Sequence, residues 1–121
     1  MSAGLRKSSV LVVEDEWLIA QMIAAELKEA GYAIVGPAAS LDVALTLIAG
    51  GGFDAAVLDV NLNGTQCFPL AEALDAKGVP YLFLTGYIQR DLPAPYRHRP
   101  TLPKPMGANA LVTGVAALLG E

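Results

Sequence analysis

Short apolar runs alternate with amphipathic stretches along most of this chain. Residues 10–13 are apolar and rich in β-branched side chains, which is typical of a strand buried on both faces. Over residues 16–30 the apolar positions recur at steps of three and four, and Gly31 follows where a C-cap glycine belongs. The pattern predicts a strand followed by an amphipathic helix.

The same alternation continues toward the C-terminus. The pattern predicts, in order, strand 32–36, helix 40–48, strand 53–58, turn 61–64, helix 69–77 and strand 81–84. Ser40 can cap its helix, and Pro69 suits a first helical turn because its missing N–H has no partner there. The apolar stretch at 110–119 predicts a last helix, mostly packed against the core.

Strands that alternate with helices imply right-handed βαβ crossovers and a parallel sheet. The length allows five strands, so we predict an α/β fold of the flavodoxin-like, doubly wound class. The second strand carries none of the reactive residues described below, which favours strand order 2-1-3-4-5. We expect residues 1–121 to form a single domain.

The stretch from 87 to 100 breaks this regularity. It contains Pro93, Pro95 and Pro100, and a proline inside a helix costs about 3 kcal/mol. We therefore expect an irregular fourth helix. The same stretch holds three arginines, which fits either a solvated loop or a surface that docks a partner.

Composition and charge exclude several classes of function. The chain is 54% hydrophobic and 17% charged, which suits a sheet covered on both faces. The chain has a net charge of -4 and therefore lacks the clustered basic face that nucleic-acid binding needs. Cys67 is the chain's single cysteine, and the sequence shows no recognisable signal peptide or membrane-spanning stretch. We therefore expect a cytoplasmic protein.

We expect Trp17 to pack at the start of the first helix.

Five reactive residues fall at the ends of predicted strands: Glu14, Asp15, Asp59, Thr85 and Lys104. In a parallel α/β sheet the carboxyl ends of the strands meet at one edge, so these side chains should converge. Three carboxylates, a hydroxyl and an ammonium favour magnesium-dependent phosphoryl chemistry on an aspartate.

Each of the five residues can be given a role. Asp15 and Asp59 could bind Mg²⁺ directly, with Glu14 acting through a water and the backbone carbonyl of Asn61 completing the protein's ligands. Asp59 would be the nucleophile that becomes an aspartyl phosphate. Lys104 would pair with Asp59 before transfer and with a phosphoryl oxygen afterwards, while Thr85 would donate a hydrogen bond to another phosphoryl oxygen.

Over essentially its whole length the chain resembles the receiver domain of two-component response regulators. Glu14 and Asp15 match the family's acidic pair, Asp59 its phosphoacceptor, Thr85 its hydroxyl, and Lys104 with Pro105 its lysine-proline pair. The resemblance implies a five-stranded doubly wound fold, Mg²⁺ binding, and phosphorylation by a histidine kinase or a histidine phosphotransfer protein. It also implies a lysine-proline bond that is often cis.

One departure points to a subgroup. Typical receivers have an aromatic residue two positions before the lysine, where this chain has Leu102. Residues 80–87 resemble the signature of the alphaproteobacterial FAT GUY receivers, which tend to lack that aromatic and to have a poorly ordered fourth helix. We therefore hypothesise that phosphorylation reorganises residues 86–99, with Tyr87 in place of the missing ring.

Several functions remain open at this point. The first is a phosphoacceptor switch that signals through the face after Thr85 or serves as a phosphate sink, without turnover of a separate substrate. A degenerate receiver that binds partners without phosphorylation is the second, and a homodimer is compatible with either. A phosphatase with an aspartate nucleophile is weaker because Asn61 cannot act as its general acid. Flavin binding is weaker still, because no Ser/Thr/Gly-rich phosphate loop follows the first strand.

Overall fold

A computed structural model describes residues 8–86, 92–104, 106–107 and 109–121. Helices and strands alternate as the pattern predicts. In chain order they are β1 (Ser9–Val13), α1 (Trp17–Glu29), β2 (Ala33–Ala38), α2 (Leu41–Gly50), β3 (Ala55–Asp59), β4 (Asn61–Leu62), β5 (Thr65–Gln66), α3 (Phe68–Lys77), β6 (Tyr81–Thr85), a 3-10 helix (Ala94–Tyr96), β7 (Thr101–Pro103) and α4 (Ala110–Leu118).

Five of the strands form one parallel sheet in the order β2-β1-β3-β6-β7. Since β6 and β7 are the fourth and fifth strands of this sheet, the predicted order 2-1-3-4-5 is confirmed. Within the predicted turn 61–64, Asn63 and Gly64 form the turn of a small antiparallel hairpin, in which β4 pairs with β5. This hairpin lies directly after β3, at the carboxyl edge of the sheet.

The sheet is covered on both faces, because successive side chains of a strand point to opposite sides. Leu11 and Val13 of β1 belong to a buried cluster with residues of α2 and α3. Val10 and Val12 of the same strand belong to a second cluster with residues of α1 and α4. Two cores on either side of one sheet hold the strand ends in fixed positions.

Local signals start and stop the helices where the sequence predicts. The Ser40 hydroxyl accepts a hydrogen bond from the Val43 N–H at 3.2 Å and caps α2. Pro69 lies in the first turn of α3, and Gly78 ends that helix in the left-handed conformation. Trp17 contradicts our expectation, because its side chain is 73% exposed at the start of α1 rather than packed.

The segment before β7 is irregular, as its prolines predict. Within residues 92–100 the regular structure is the 3-10 helix, and the Arg97 side chain donates to the Leu92 carbonyl at 3.0 Å. Buried Leu92 and the Tyr96 ring fasten this segment to the core. Among the described residues, no helix combines the length and the apolar character that crossing a bilayer would require.

Candidate functional site

The carboxyl ends of the central strands surround an open cleft of about 550 Å³. Four of the five predicted reactive residues line it, since Asp15, Asp59, Thr85 and Lys104 all contribute to its wall. Glu14 lies behind the wall and is 1% exposed. The parallel sheet therefore brings together side chains that are up to 90 positions apart in the chain, from 14 to 104.

Glu14, Asp15 and Asp59 form an acidic group at the ends of β1 and β3. One carboxylate oxygen from each residue lies within 4.8 Å of the other two. Asp59 is 4% exposed, whereas Asp15 is partly open to the cleft. Three hard oxygen donors at this spacing form a set that suits a small divalent cation such as Mg²⁺.

Lys104 supplies the positive charge of the site. Its ammonium lies 3.0 Å from Glu14 Oε1 and 3.3 Å from Asp59 Oδ2, so it bridges two buried carboxylates. Burial acts to lower the pKa of Lys104, but the contacts with Glu14 and Asp59 outweigh it and the pKa lies above its usual range. The contact with Glu14 adds a second partner to the predicted pairing with Asp59.

The pKa of Asp59 is raised from 3.8 to about 7. Burial is the main cause, and the negative charge of Glu14 adds to it, while Lys104 acts in the opposite direction. A single ammonium thus does not offset the acidic group. Additional positive charge at the cleft would favour the ionised form of Asp59, which is the form that can attack phosphorus.

The β4–β5 hairpin forms part of the wall of the cleft and carries hydrogen bonds that sequence reasoning missed. The Asn61 N–H donates to Asp59 Oδ1 at 3.2 Å, and the Asn63 N–H donates to Asp15 Oδ2 at 3.0 Å. The Gly64 N–H in turn donates to the Asn61 side-chain oxygen at 2.7 Å. The sequence did contain a signal for the turn of this hairpin, because an Asn-Gly pair such as Asn63-Gly64 is typical of a two-residue hairpin turn.

Thr85 ends β6, where it is 3% exposed, and its carbonyl accepts a hydrogen bond from the Lys104 N–H at 3.2 Å. This contact ties the two strand ends that carry the hydroxyl and the ammonium. Leu102 lies on β7 and packs partly buried against the core beneath α1 and α4. The hypothesis for Tyr87 and the geometry of the Lys104–Pro105 bond fall outside the described residues.

An exposed apolar surface adjoins the cleft on α1, and sequence reasoning missed it as well. Trp17, Leu18 and Met22 are 73%, 65% and 62% exposed. Met22 also lines a groove of about 370 Å³ that reaches Lys104 and Met106. Large apolar side chains exposed beside a reactive cleft are typical of a surface that contacts another protein.

The family described as the response regulator receiver domain matches residues 10–116. Among curated proteins, the chain is 36% identical over 84 residues to the transcriptional regulatory protein PdtaR of Mycobacterium tuberculosis. That alignment covers 69% of this chain and 41% of PdtaR. The chain thus spans about two fifths of the length of this curated relative.

Solved structures give matches over nearly the full chain. The solution structure of SdrG from Sphingomonas melonis Fr1 is 40% identical with a TM-score of 0.82, and covers 98% of this chain and 99% of SdrG. The solution structure of the receiver domain of Erythrobacter litoralis PhyR is 26% identical with a TM-score of 0.84, and covers 98% and 94% of the two chains. Both proteins share the five-stranded architecture described above.

Proposed function

The chain belongs to the response regulator receiver family, and from this membership we propose that it is a phosphoacceptor switch in which Asp59 receives the phosphoryl group. Receiver domains are in general signalling modules of two-component systems rather than enzymes. The observation that carries the proposal is the position of Asp59. It is buried in the cleft, beside the acidic pair and within 3.3 Å of the Lys104 ammonium.

Mg²⁺ is the proposed cofactor. Asp15 and Asp59 would hold the ion together with the Asn61 carbonyl, and Glu14 would act through a water. When bound, the ion would neutralise charge on the carboxylates and on the phosphoryl oxygens. The acidic group and the raised pKa of Asp59 support this proposal, because both describe a site with more negative charge than Lys104 offsets.

The transfer step uses groups that already face the cleft. An Asp59 carboxylate oxygen attacks the phosphorus of a phosphohistidine, and the phosphorus–nitrogen bond breaks as the new phosphorus–oxygen bond forms. The electron pair of the broken bond stays with the histidine nitrogen, which takes a proton from solvent. Lys104 then shifts its contact from Asp59 to a phosphoryl oxygen, and Thr85 donates a hydrogen bond to another.

The phosphodonor is proposed to be a histidine kinase or a histidine phosphotransfer protein. A donor histidine must come within bonding distance of Asp59, so the donor protein has to cover the surface around the cleft. The exposed Trp17, Leu18 and Met22 on α1 lie beside that opening and would be covered in such a complex. Their exposure supports a protein donor in addition to any small-molecule donor.

We propose that the signal leaves through the segment that follows Thr85. The Tyr96 ring stacks on Phe68 with centroids 5.1 Å apart and contacts Phe83 edge-on at 5.9 Å. Phe68 begins α3 immediately after the hairpin, and Phe83 lies two residues before Thr85 on the same strand. Movement at the start of α3 or near the end of β6 would therefore reach Tyr96 by direct packing.

An amide NMR titration tests the proposed function. Mg²⁺ should shift resonances around Glu14, Asp15 and Asp59, and beryllofluoride, a phosphoryl mimic, should then shift Thr85 and residues 92–99. The Asp59→Asn variant should lose the beryllofluoride response. A structure of SdrG in its BeF3-activated conformation, from Pseudomonas melonis Fr1, is 39% identical with a TM-score of 0.80 and covers 98% of this chain and 99% of SdrG.

The opposite result would favour the second candidate. If neither ligand perturbed the acidic group, the chain would be a degenerate receiver that binds partners without phosphorylation, and the exposed surface on α1 would carry that role. The phosphatase alternative would need turnover of an added phosphate ester. Asn61 stands where that chemistry requires a carboxylic acid.

A further inference from the structure

The β4–β5 hairpin donates hydrogen bonds to two of the acidic residues that line the cleft, Asp59 and Asp15. Two backbone donors, two positions apart on one side of the hairpin, serve two different carboxylates: the Asn61 N–H bonds Asp59, and the Asn63 N–H bonds Asp15. The Asp15 contact is the more consequential, because Asp15 is partly open to the cleft and is 48 positions away in the chain. Without a restraint, charge repulsion from Glu14 and Asp59 would favour rotamers that turn Asp15 away.

The turn explains why the Asn63 N–H is available. Asn63 and Gly64 have φ values of 55° and 88°, as in a type I′ hairpin turn, and the flanking residues Leu62 and Thr65 pair with each other. The first loop residue of such a turn points its N–H out of the hairpin ladder. Asparagine tolerates the left-handed conformation, so the position keeps both the required φ and the donor.

We propose that Asn63 is a positioning residue of this site: its backbone N–H holds the Asp15 carboxylate in the orientation that binds Mg²⁺. The proposal rests on the proposed function, because it assigns Asp15 to the metal. The bond uses one lone pair of Oδ2 and leaves Oδ1 available for the ion. The hairpin therefore organises the acidic group before the ion arrives.

The hairpin that carries Asn63 is closed at its base beside α3. The Cys67 N–H donates to the Val60 carbonyl at 2.9 Å, one residue before α3 begins. Hydrogen bonds from groups around a metal ligand typically change metal affinity by about 10-fold to 100-fold when removed. For Asn63 we expect a change in metal affinity at the lower end of this range, about 10-fold, because its hydrogen bond is exposed to solvent.

Three substitutions probe the hydrogen bond and the turn. Asn63→Gly keeps the N–H and the positive φ, and Asn63→Ala keeps the N–H in a strained turn. Asn63→Pro removes the donor and also excludes the positive φ of this position, because the proline ring fixes φ at about -65°. The Mg²⁺ dissociation constant can be measured by the fluorescence of Trp17, the chain's one tryptophan, which lies two positions after Asp15. We expect the glycine variant to match the wild type, the alanine variant to lie within about 3-fold, and the proline variant to bind about 10-fold more weakly.

Two results would overturn the proposal. A proline variant with wild-type Mg²⁺ affinity would show that the bond does not position Asp15. An alanine variant as weak as the proline variant would show that the turn conformation, and not the donor, sets the affinity.

A metal-free measurement separates this inference from the proposed function. Amide hydrogen exchange at Asn63 should accelerate at least 10-fold in Asp15→Ala, while exchange at Cys67, which bonds within the chain's own hairpin base, stays unchanged. Unchanged exchange at Asn63 would disprove the hydrogen bond from Asn63 to Asp15, even if the protein binds Mg²⁺ and beryllofluoride. Accelerated exchange in a protein that binds neither would leave the hydrogen bond established and overturn both its positioning role and the proposed function.

Discussion

Asp59 is held in a setting that opposes its own ionisation. It is 4% exposed, it lies beside Glu14, and Lys104 must serve both carboxylates. Its pKa of about 7 in the folded chain compares with an ordinary value of 3.8. An acid whose pKa is raised by folding stabilises the folded state at low pH, and this contribution is lost as the pH rises from about 3.8 to about 7.

The Asp59→Asn variant should therefore be more stable than the wild type when no metal is present. We expect its free energy of unfolding to be higher by about 1–3 kcal/mol at pH 8, with the gain shrinking toward pH 5. Urea unfolding at several pH values measures the difference. Saturating Mg²⁺ should raise the stability of the wild type and reduce the gap. A variant that is less stable at pH 8 in chelator would contradict this account.

Gly36 shows how one backbone position constrains the end of β2. Its φ is 93°, and an added Cβ would lie 2.8 Å from the Ala38 nitrogen and 3.0 Å from the Val12 carbonyl oxygen. Both neighbours are backbone atoms of the sheet, which cannot turn aside as a side chain can. The position therefore requires glycine.

We expect Gly36→Ala to lower the free energy of unfolding by about 1–3 kcal/mol, because the strain and the close contacts add. Gly50→Ala is the matched control, since Gly50 ends α2 and an added Cβ meets nothing within 4 Å. The control should be neutral or slightly stabilising. Thermal unfolding of both variants checks the prediction, and equal losses would refute it.

At the scale of the elements, aromatic side chains pack the start of α3 against the 3-10 helix. Tyr81, Phe83, Phe68 and Tyr96 form a continuous series of aromatic contacts with centroid distances of 5.1–5.9 Å. Arg99 closes the far end of the segment with an ion pair to Asp75 at 3.0 Å, and it lies over the Tyr81 ring. The segment is irregular in its backbone yet fastened at several points.

Tyr96→Leu should uncouple this segment from Asp59. We expect a loss of stability of about 1 kcal/mol from the stack, and amide shifts on beryllofluoride binding that persist at Thr85 but shrink at residues 92–99. Tyr96→Phe keeps the ring and should behave as the wild type. NMR titration of both variants measures the effect. If beryllofluoride shifted the amides of residues 92–99 in Tyr96→Leu as much as in the wild type, another path would carry the signal.

For the molecule as a whole, exposed apolar surface and the cleft lie side by side. Trp17, Leu18 and Met22 are exposed on α1, on the side of the sheet opposite α2. Val43 on α2 is also 50% exposed, but it lies away from Lys104 and Met106. This placement predicts that one face of the molecule meets the phosphodonor.

Trp17→Ala and Met22→Ala should slow phosphoryl transfer from a cognate protein donor by about 10-fold, as expected for large side chains at the centre of an interface. Phosphorylation by acetyl phosphate, which needs no protein contact, should be unchanged. Val43→Ala is the control and should leave both reactions at the wild-type rate. An equal slowing with both donors would mean that the substitutions disturb the site itself.

Sequence reasoning recovered the fold well, because its signals are local. The apolar runs, Ser40, Pro69 and Gly78 each act within a few residues, and the topological rule for parallel sheets then orders the strands. The convergence of the strand-end residues followed from the same rule. The pairing of β4 with β5 was missed because these strands have two residues each, too few for periodicity to reveal, and the Asn63-Gly64 pair signals only their turn.

By itself the amino-acid sequence determined the strand order and the residues that meet at the cleft, since hydrophobic periodicity and chain topology suffice for these. The family followed from the resemblance of the motif residues to those of receiver domains. Only the tertiary structure decided which groups touch. The bridge from Lys104 to Glu14 and the bond from Asn63 to Asp15 depend on distances between segments remote in the chain. The exposure of Trp17 depends on how α1 is rotated against the sheet, a balance of packing over the whole core that no local pattern encodes.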